Sequence, residues 1–205
     1  MFVQPNFLYR LLVPGAVWRV NSPGARRVYL TFDDGPVPEV TPAVLDILKR
    51  YGVKATFFMV GDNVRRHPEL LPMVVRDGHS VGNHTMHHLQ GIKTSTKKYL
   101  EDVEEAAQYI PGSLFRPPHG LLRLRQLRRV SRNFRVVMHD LVTYDFSKRL
   151  TAEEVLGNVK KYTRPGSIIV FHDSLKAMPR VVEALPKAIE WLISQNYEFD
   201  TLPME

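Results

Sequence analysis

The sequence predicts a parallel α/β fold, either an open sheet or a closed barrel, and three observations carry that expectation. Short runs rich in Val, Ile, Phe and Tyr alternate with segments of helical periodicity. Each strand and its helix together take about 25 to 30 residues, the length of one βα unit. The polar side chains with chemistry to offer stand directly after the strand runs, where parallel sheets bind their ligands.

The first strand is Val28–Asp33, a β-branched and aromatic run stopped by Asp34-Gly35-Pro36. Thr41-Pro42 reads as a helix start, with Thr as N-cap and Pro in the first turn. Val44, Leu45, Leu48 and Tyr51 share one face of that helix, and Gly52 ends it. Ala55–Val60 is a short apolar strand. Asp62–Asp77 is helical, broken at Pro68 and Pro72. His79–Asn83 is the third strand, and the polar run His84-Thr85-Met86-His87-His88 comes after it.

Thr94–Ile110 is a helix closed by Pro111-Gly112, and Leu114–Arg116 is a short strand running into Pro117-Pro118-His119-Gly120. An Arg-rich helix comes next, then a strand over Phe134–His139. Thr151-Ala152-Glu153-Glu154 is a capping box opening a helix that stops at Arg164-Pro165-Gly166. Ser167–Phe171 is a buried strand ending in His172-Asp173. A helix over Pro179–Gln195 leads to a terminal strand, Tyr197–Leu202. The tally is seven strands.

Of 205 residues, 44% are hydrophobic, enough for a buried core, and none is Cys. A disulfide framework and a thiolate metal site are therefore excluded, so any metal must be held by His and carboxylate. The net charge is +7, and six of those charges are Arg123, Arg125, Arg128, Arg129, Arg132 and Arg135, in a segment without an acid. The remainder is nearly neutral, which argues against a nucleic-acid protein. Leu121, Leu124, Leu127 and Val130 recur at helical spacing there and leave the arginines on a solvated face. An anionic polymer or a peripheral membrane contact is the alternative use of that cluster.

Phe7–Val20 is apolar in patches, but Arg10, Pro14 and Arg19 interrupt it, and no basic region with a small-residue cleavage site frames it. Residues 1–27 are expected to be an N-terminal arm packed on one domain, 28–205. A cytoplasmic location is the default expectation.

Asp33 and Asp34, His84 and His88, Arg116, and His172 come from separate strand ends, and a parallel sheet would bring them to one rim. His84 and His88, four apart, would project from one face of a helical turn, as in zinc hydrolases. His87 would point elsewhere, and His67, His79 and His139 are expected to be structural. Two His and one Asp leave coordination positions open, a set shared with non-haem iron oxygenases. The α/β pattern and the extra acid–base groups favour a hydrolase over an oxygenase.

Thr31-Phe32-Asp33-Asp34-Gly35, His84-Thr85-x-x-His88, Arg116-Pro117-Pro118-x-Gly120 and Val170-Phe171-His172-Asp173 resemble, in order, four signature motifs of the polysaccharide deacetylases, carbohydrate esterase family 4. The resemblance runs from about Val28 to Leu202 and implies a distorted seven-stranded (β/α) barrel. It implies removal of N-acetyl groups from an amino-sugar polymer or oligomer, with one divalent metal, zinc foremost and cobalt, nickel or manganese as alternatives.

It also implies roles. Asp34, His84 and His88 would bind the metal. Asp33 would be the general base toward the attacking water, and His172 the general acid toward the departing amine. Arg116 would orient Asp33, and the backbone N–H of His119 would hold the oxyanion. Pro117, Pro118, Asp145 and Phe146 are the candidates to line the sugar site.

Two departures stand out. His119 occupies a position that is usually Tyr. Val142-Thr143-Tyr144-Asp145-Phe146 matches the remaining family motif only in part, with Val142 where an Asp would support the catalytic His. Asp140, Asp145 and Asp173 are the candidates to replace that support. The family resemblance also leaves room for a deformylase or amidase acting on a lipid-linked sugar or cyclic amide, and for a non-catalytic carbohydrate-binding relative.

Overall fold

The computed structural model describes residues 3–21 and 24–203. Its main sheet is built from β1 (Arg27–Asp33), β2 (Thr56–Met59), β3 (Ser80–Asn83), β4 (Leu114–Phe115), β5 (Arg135–Val136), β6 (Leu141–Val142) and β7 (Ile168–His172). These seven strands pair in parallel in the order β5-β4-β3-β2-β1-β7-β6, a sheet curled into a half-barrel. An eighth strand, β8 (Glu198–Phe199), lies off this path against the start of β1.

The seven strands of the sheet are therefore not the seven expected from the sequence. Leu141–Val142 enters the sheet beside β7, whereas the C-terminal strand does not extend the main path. A two-residue strand offers no alternation to read, and its place is set by pairing with Ile169 and Val170.

Eight α-helices are present among the described residues: α1 (Phe7–Leu11), α2 (Thr41–Arg50), α3 (Gly61–Arg66), α4 (Leu70–Arg76), α5 (Thr96–Ala106), α6 (Leu124–Val130), α7 (Ala152–Tyr162) and α8 (Met178–Ser194). The predicted break falls at Pro68, between α3 and α4, whereas Pro72 is accommodated in the first turn of α4. The capping box of α7 forms in both directions: Glu154 N–H donates to Thr151 Oγ1 at 3.2 Å, and Thr151 N–H to Glu154 Oε2 at 2.8 Å. Thr41 is not an N-cap. It is the first residue of α2, and its buried hydroxyl donates to Asp173 Oδ2 at 2.7 Å. The Arg-rich helix buries Gln126, Leu127 and Val130 and keeps its arginines outside, while Leu124 is exposed.

β1 is the centre of the sheet, with β2 on one side and β7 on the other, and it is buried from Val28 to Asp33. Phe32 stacks on Phe57 at 4.9 Å and Phe171 at 6.0 Å between ring centroids, joining the three central strands. Burying a Phe side chain of this kind contributes about 1.5–3 kcal/mol. The rigid centre ends at Asp33, so the first carboxylate rests on the best-packed strand.

The N-terminal segment runs along the open side of the half-barrel. Val17 N–H donates to Val136 O at 2.9 Å, Met138 N–H to Val17 O at 2.8 Å, and Val20 N–H to Gly166 O at 3.0 Å. Arg10 reaches buried Asp140 at 2.9 Å, and Tyr9 O–H donates to Gly120 O at 2.9 Å. The segment is thereby tied both to the sheet and to the loop after β4.

Candidate active site

Asp33 and Asp34 separate because the strand ends between them. Asp33 keeps β geometry, pairing in register with Phe58 of β2 and His172 of β7. Asp34 has φ 78°, which turns its side chain out of the strand alternation. The turn is held by Asn63 Nδ2, which donates to Asp34 O at 2.9 Å, and by Gly35 N–H, which donates to Asp173 Oδ1 at 3.1 Å. A Cβ on Gly35 would collide with the Asp173 carboxylate, so glycine is required there for close approach.

Asp34, His84 and His88 offer ligand atoms that all lie within 4.8 Å of one another. Asp34 Oδ1 is 3.6 Å from His84 Nε2 and 3.0 Å from His88 Nε2. Burial raises the Asp34 carboxyl, but both imidazoles and the more distant His172 outweigh it and hold it well below the usual carboxylate range. His84 Nδ1 lies 2.7 Å from Arg116 O, so Nδ1–H donates there and Nε2 is left facing Asp34. Two nitrogens and a carboxylate oxygen, converging with one imidazole already oriented, fit a divalent cation.

The expected helical turn between the two histidines does not form. Residues 84–88 are a loop after β3, with Thr85 at φ 66° and His88 at φ 54°. Convergence comes from those two left-handed residues and from Asp102 of α5. Asp102 Oδ2 accepts from Met86 N–H at 2.9 Å and His87 N–H at 3.1 Å, and Oδ1 lies 2.6 Å from His87 Nδ1. His87 thus faces α5 rather than the cluster.

Arg116 is buried and spends its guanidinium on four acceptors. It donates to Asp33 Oδ1 at 2.6 Å, Thr31 Oγ1 at 2.8 Å, Met138 O at 2.9 Å and Val137 O at 3.4 Å, with Phe58 under its plane at 4.1 Å. Burial lowers its pKa from the usual arginine value, and Asp33 opposes that. The carboxylate is fixed by a buried charge-assisted bond.

His172, at the end of β7, is gripped by Asp145. Asp145 Oδ1 is 2.8 Å from Nδ1, and Oδ2 accepts from the His172 backbone N–H at 2.7 Å. Burial opposes the imidazolium, but the charges of Asp145, Asp34 and Asp33 and the Asp145 hydrogen bond push the pKa up to about 9.

Two of the three carboxylates considered as support for His172 serve elsewhere. Asp140 is buried between Arg164 (2.6 and 2.9 Å), Arg10 and Ser167 Oγ (2.7 Å), anchoring the N-terminal segment. Asp173 holds Gly35 and Thr41, and burial pushes it up to about 7. Alternation turns Asp173 away from its strand neighbour His172, whereas Asp140 is withheld by Arg10, Arg164 and Ser167, partners distant in the chain.

These groups open into a cavity of about 850 Å³. Pro117 and Phe146 line it, with the Phe146 ring edge-on to His172 at 4.7 Å. Pro118 and Asp145 do not line it. Both are buried, Pro118 within the turn after β4 and Asp145 behind His172. His119 lines the cavity with φ 60°, its ring 4.8 Å from that of His88. Burial and neighbouring His88 lower its pKa.

Sequence reasoning missed Leu8, Tyr9 and Leu12 of the N-terminal segment, Tyr144, and His139, all of which line the cavity. His139, expected to be structural, sits at the cavity wall, pushed down to about 3 by burial and by Arg116. No local signal marks the N-terminal residues, since their position depends on Arg10 meeting Asp140, distant in the chain.

The half-barrel with a three-ligand cluster and two further ionisable groups at its strand ends defines a hydrolase-like α/β site, and comparison with known proteins gives its family. The family described as polysaccharide deacetylase matches residues 21–138, and this chain belongs to it. It is 33% identical over 196 residues to a peptidoglycan-N-acetylglucosamine deacetylase of Bacillus cereus, covering 90% of each chain. It is 32% identical over 198 residues to a chitooligosaccharide deacetylase of a Bradyrhizobium species, covering 88% of this chain and 90% of that one. Among solved structures, the Bc1960 peptidoglycan N-acetylglucosamine deacetylase superposes with a TM-score of 0.87 at 30% identity, covering 97% of this chain and 95% of that one.

Proposed function

We propose that this chain removes N-acetyl groups from the amino sugars of a peptidoglycan- or chitin-type glycan, with residues 28–205 as the catalytic domain and residues 1–27 as an arm that completes its cavity. The observation that carries the reading is the meeting, in one cavity, of a three-ligand cluster with an Arg-held carboxylate and an Asp-held imidazole. A structural site would not need both an acid and a base at the same rim.

Asp34, His84 and His88 would hold the divalent metal. Zinc suits two imidazoles and a carboxylate, and when bound it supplies Lewis acidity toward a water and an amide carbonyl. Asp33, oriented by Arg116, takes the proton from the attacking water. The His119 N–H donates to the oxygen that gains charge. His172 gives its proton to the departing amine, and the Asp145 carboxylate stabilises the imidazolium until it does so. Phe146 offers an apolar face to a sugar ring.

Acetate release from N-acetylglucosamine oligomers and from peptidoglycan tests this. The expected result is release that stops on chelation and returns with added zinc. Release of formate from N-formyl substrates in preference to acetate, or binding without turnover under any divalent metal, would overturn it.

A further inference from the structure

α1 is an inside-out helix. Phe7, Leu8, Leu11 and Leu12 are 73, 71, 57 and 55% exposed, while Tyr9 and Arg10 turn inward to Gly120 and Asp140. Positions i, i+1, i+4 and i+5 form one contiguous apolar stripe, and here it faces out. Leu8 and Leu12 also line the cavity, so the stripe reaches its mouth.

Other exposed apolar side chains gather at the same end of the barrel. Ile92 lies in the loop after β3, Leu124 opens α6 after β4, and Leu175 lies in the loop after β7. In a parallel α/β barrel, the loops leaving the strands share the catalytic face. Exposed cations occupy these loops and the loop after β6: Lys93, Arg123 and Lys176 in the former, Lys148 and Arg149 in the latter. The acids of those loops, Asp145 and Asp173, are buried and engaged, and the loop after β1 adds one exposed acid, Glu39, against these five cations. At the start of α7, Glu153 is paired with Lys187 and Glu154 closes the capping box.

We propose that this face docks on an anionic lipid bilayer, with the apolar residues of α1, Ile92, Leu124 and Leu175 entering the headgroup layer and the ring of Lys and Arg meeting its phosphates. Aliphatic side chains combined with cations match the chemistry of a bilayer surface. A glycan chain would instead call for flat aromatic platforms, and the exposed residues of this face are chiefly Leu and Ile. A second copy meeting this face would bring like cations together. No helix among the described residues is long and apolar enough to cross a membrane, so the contact is peripheral. Leu8, Leu12 and Lys176 also line the cavity, but Phe7, Leu11, Lys93 and Arg149 do not, so bilayer binding and deacetylation of a soluble substrate can fail independently of each other.

Co-sedimentation with vesicles tests it, using equal parts phosphatidylglycerol and phosphatidylcholine against phosphatidylcholine alone. Binding is expected on the anionic vesicles, weakening with added salt. The double substitution Phe7→Ser, Leu11→Ser should reduce it about tenfold, as should Lys93→Gln with Arg149→Gln. None of these four side chains lines the cavity, so turnover of a soluble oligosaccharide should persist and report an intact fold. Absence of binding, equal binding to both vesicle types, or unchanged binding by both variants would overturn the proposal. So would a dimer in solution that Phe7→Ser, Leu11→Ser dissociates.

Discussion

Asp145 holds His172 twice, with one oxygen 2.8 Å from the ring Nδ1 and the other 2.7 Å from the backbone nitrogen. The second bond fixes where the residue sits, and the first fixes its tautomer and favours its charged form. Nε2 is thereby the proton-bearing atom left to act. The aspartate of the partial family motif that holds this histidine is thus Asp145, while Val142 lines the cavity.

Asp145→Asn is expected to move the alkaline limb of the kcat profile to lower pH. The proposed mechanism needs protonated His172, whose pKa of about 9 depends on the Asp145 charge. Losing that charge deprotonates the ring earlier, and kcat should fall by up to about 10²-fold near neutral pH. Stability carries the same sign. A histidine raised from 6.5 to about 9 stabilises the fold fully below 6.5, and the contribution is lost as pH rises through about 9. A pH profile unchanged by the substitution would refute the assignment of His172 as acid.

Asp33 and Asp34 should part cleanly in mutants. Asp34→Ala, like His84→Ala, removes one of three ligands, and both bound metal and acetate release should be lost. Asp33→Asn should keep its metal, by elemental analysis, while kcat falls by about 10²–10⁴-fold. Full activity of Asp33→Asn would end its candidacy as the base.

Much of this site is legible in the sequence because strand ends are legible. A run such as Val28–Phe32 has one direction, and the residues after each such run emerge at one rim, which brings Asp33, His84, Arg116 and His172 together from pattern alone. Geometry that depends on distant partners is not legible. The loop holding His84 and His88 looks helical by spacing, yet Asp102, supplied by α5, pins it in left-handed turns. Asp140 looks available to His172, but Arg10 and Arg164 claim it. The cavity wall formed by Leu8 and Leu12 has no motif, because apolar residues facing out are indistinguishable in sequence from apolar residues facing in.

Arg116 is a buried structural tie and, in the proposed mechanism, the residue that orients Asp33, and substitution should reveal both. Its guanidinium is buried against Asp33, and removing one partner of such a pair leaves an uncompensated charge. Arg116→Ala is expected to cost about 3–5 kcal/mol in denaturant unfolding. Arg116→Lys should fold better yet stay impaired, because one ammonium cannot reach Asp33, Thr31 and Met138 O with the planar fork. A lysine variant with wild-type kcat would show that the fork geometry is dispensable.

Asp102 is expected to support metal binding without being a ligand, since it lies outside the Asp34–His84–His88 cluster. Its carboxylate collects the N–H groups of Met86 and His87, the two residues just before His88. That pins the backbone of a loop whose flanking residues, Thr85 and His88, are both at positive φ and have no helix to hold them. Asp102→Ala should therefore loosen the spacing of His84 and His88, and metal affinity should fall by about 10–100-fold, as for other groups that orient ligands indirectly. The expected signature is activity recovered at high metal concentration, which loss of a ligand such as His84 would not allow. Titration of the apoprotein with zinc, read by competition with a chromogenic chelator, gives the affinity directly. An unchanged affinity would mean that the loop is held by its remaining contacts alone, Gly61 N–H to Thr85 O and Asp62 N–H to Met86 O among them.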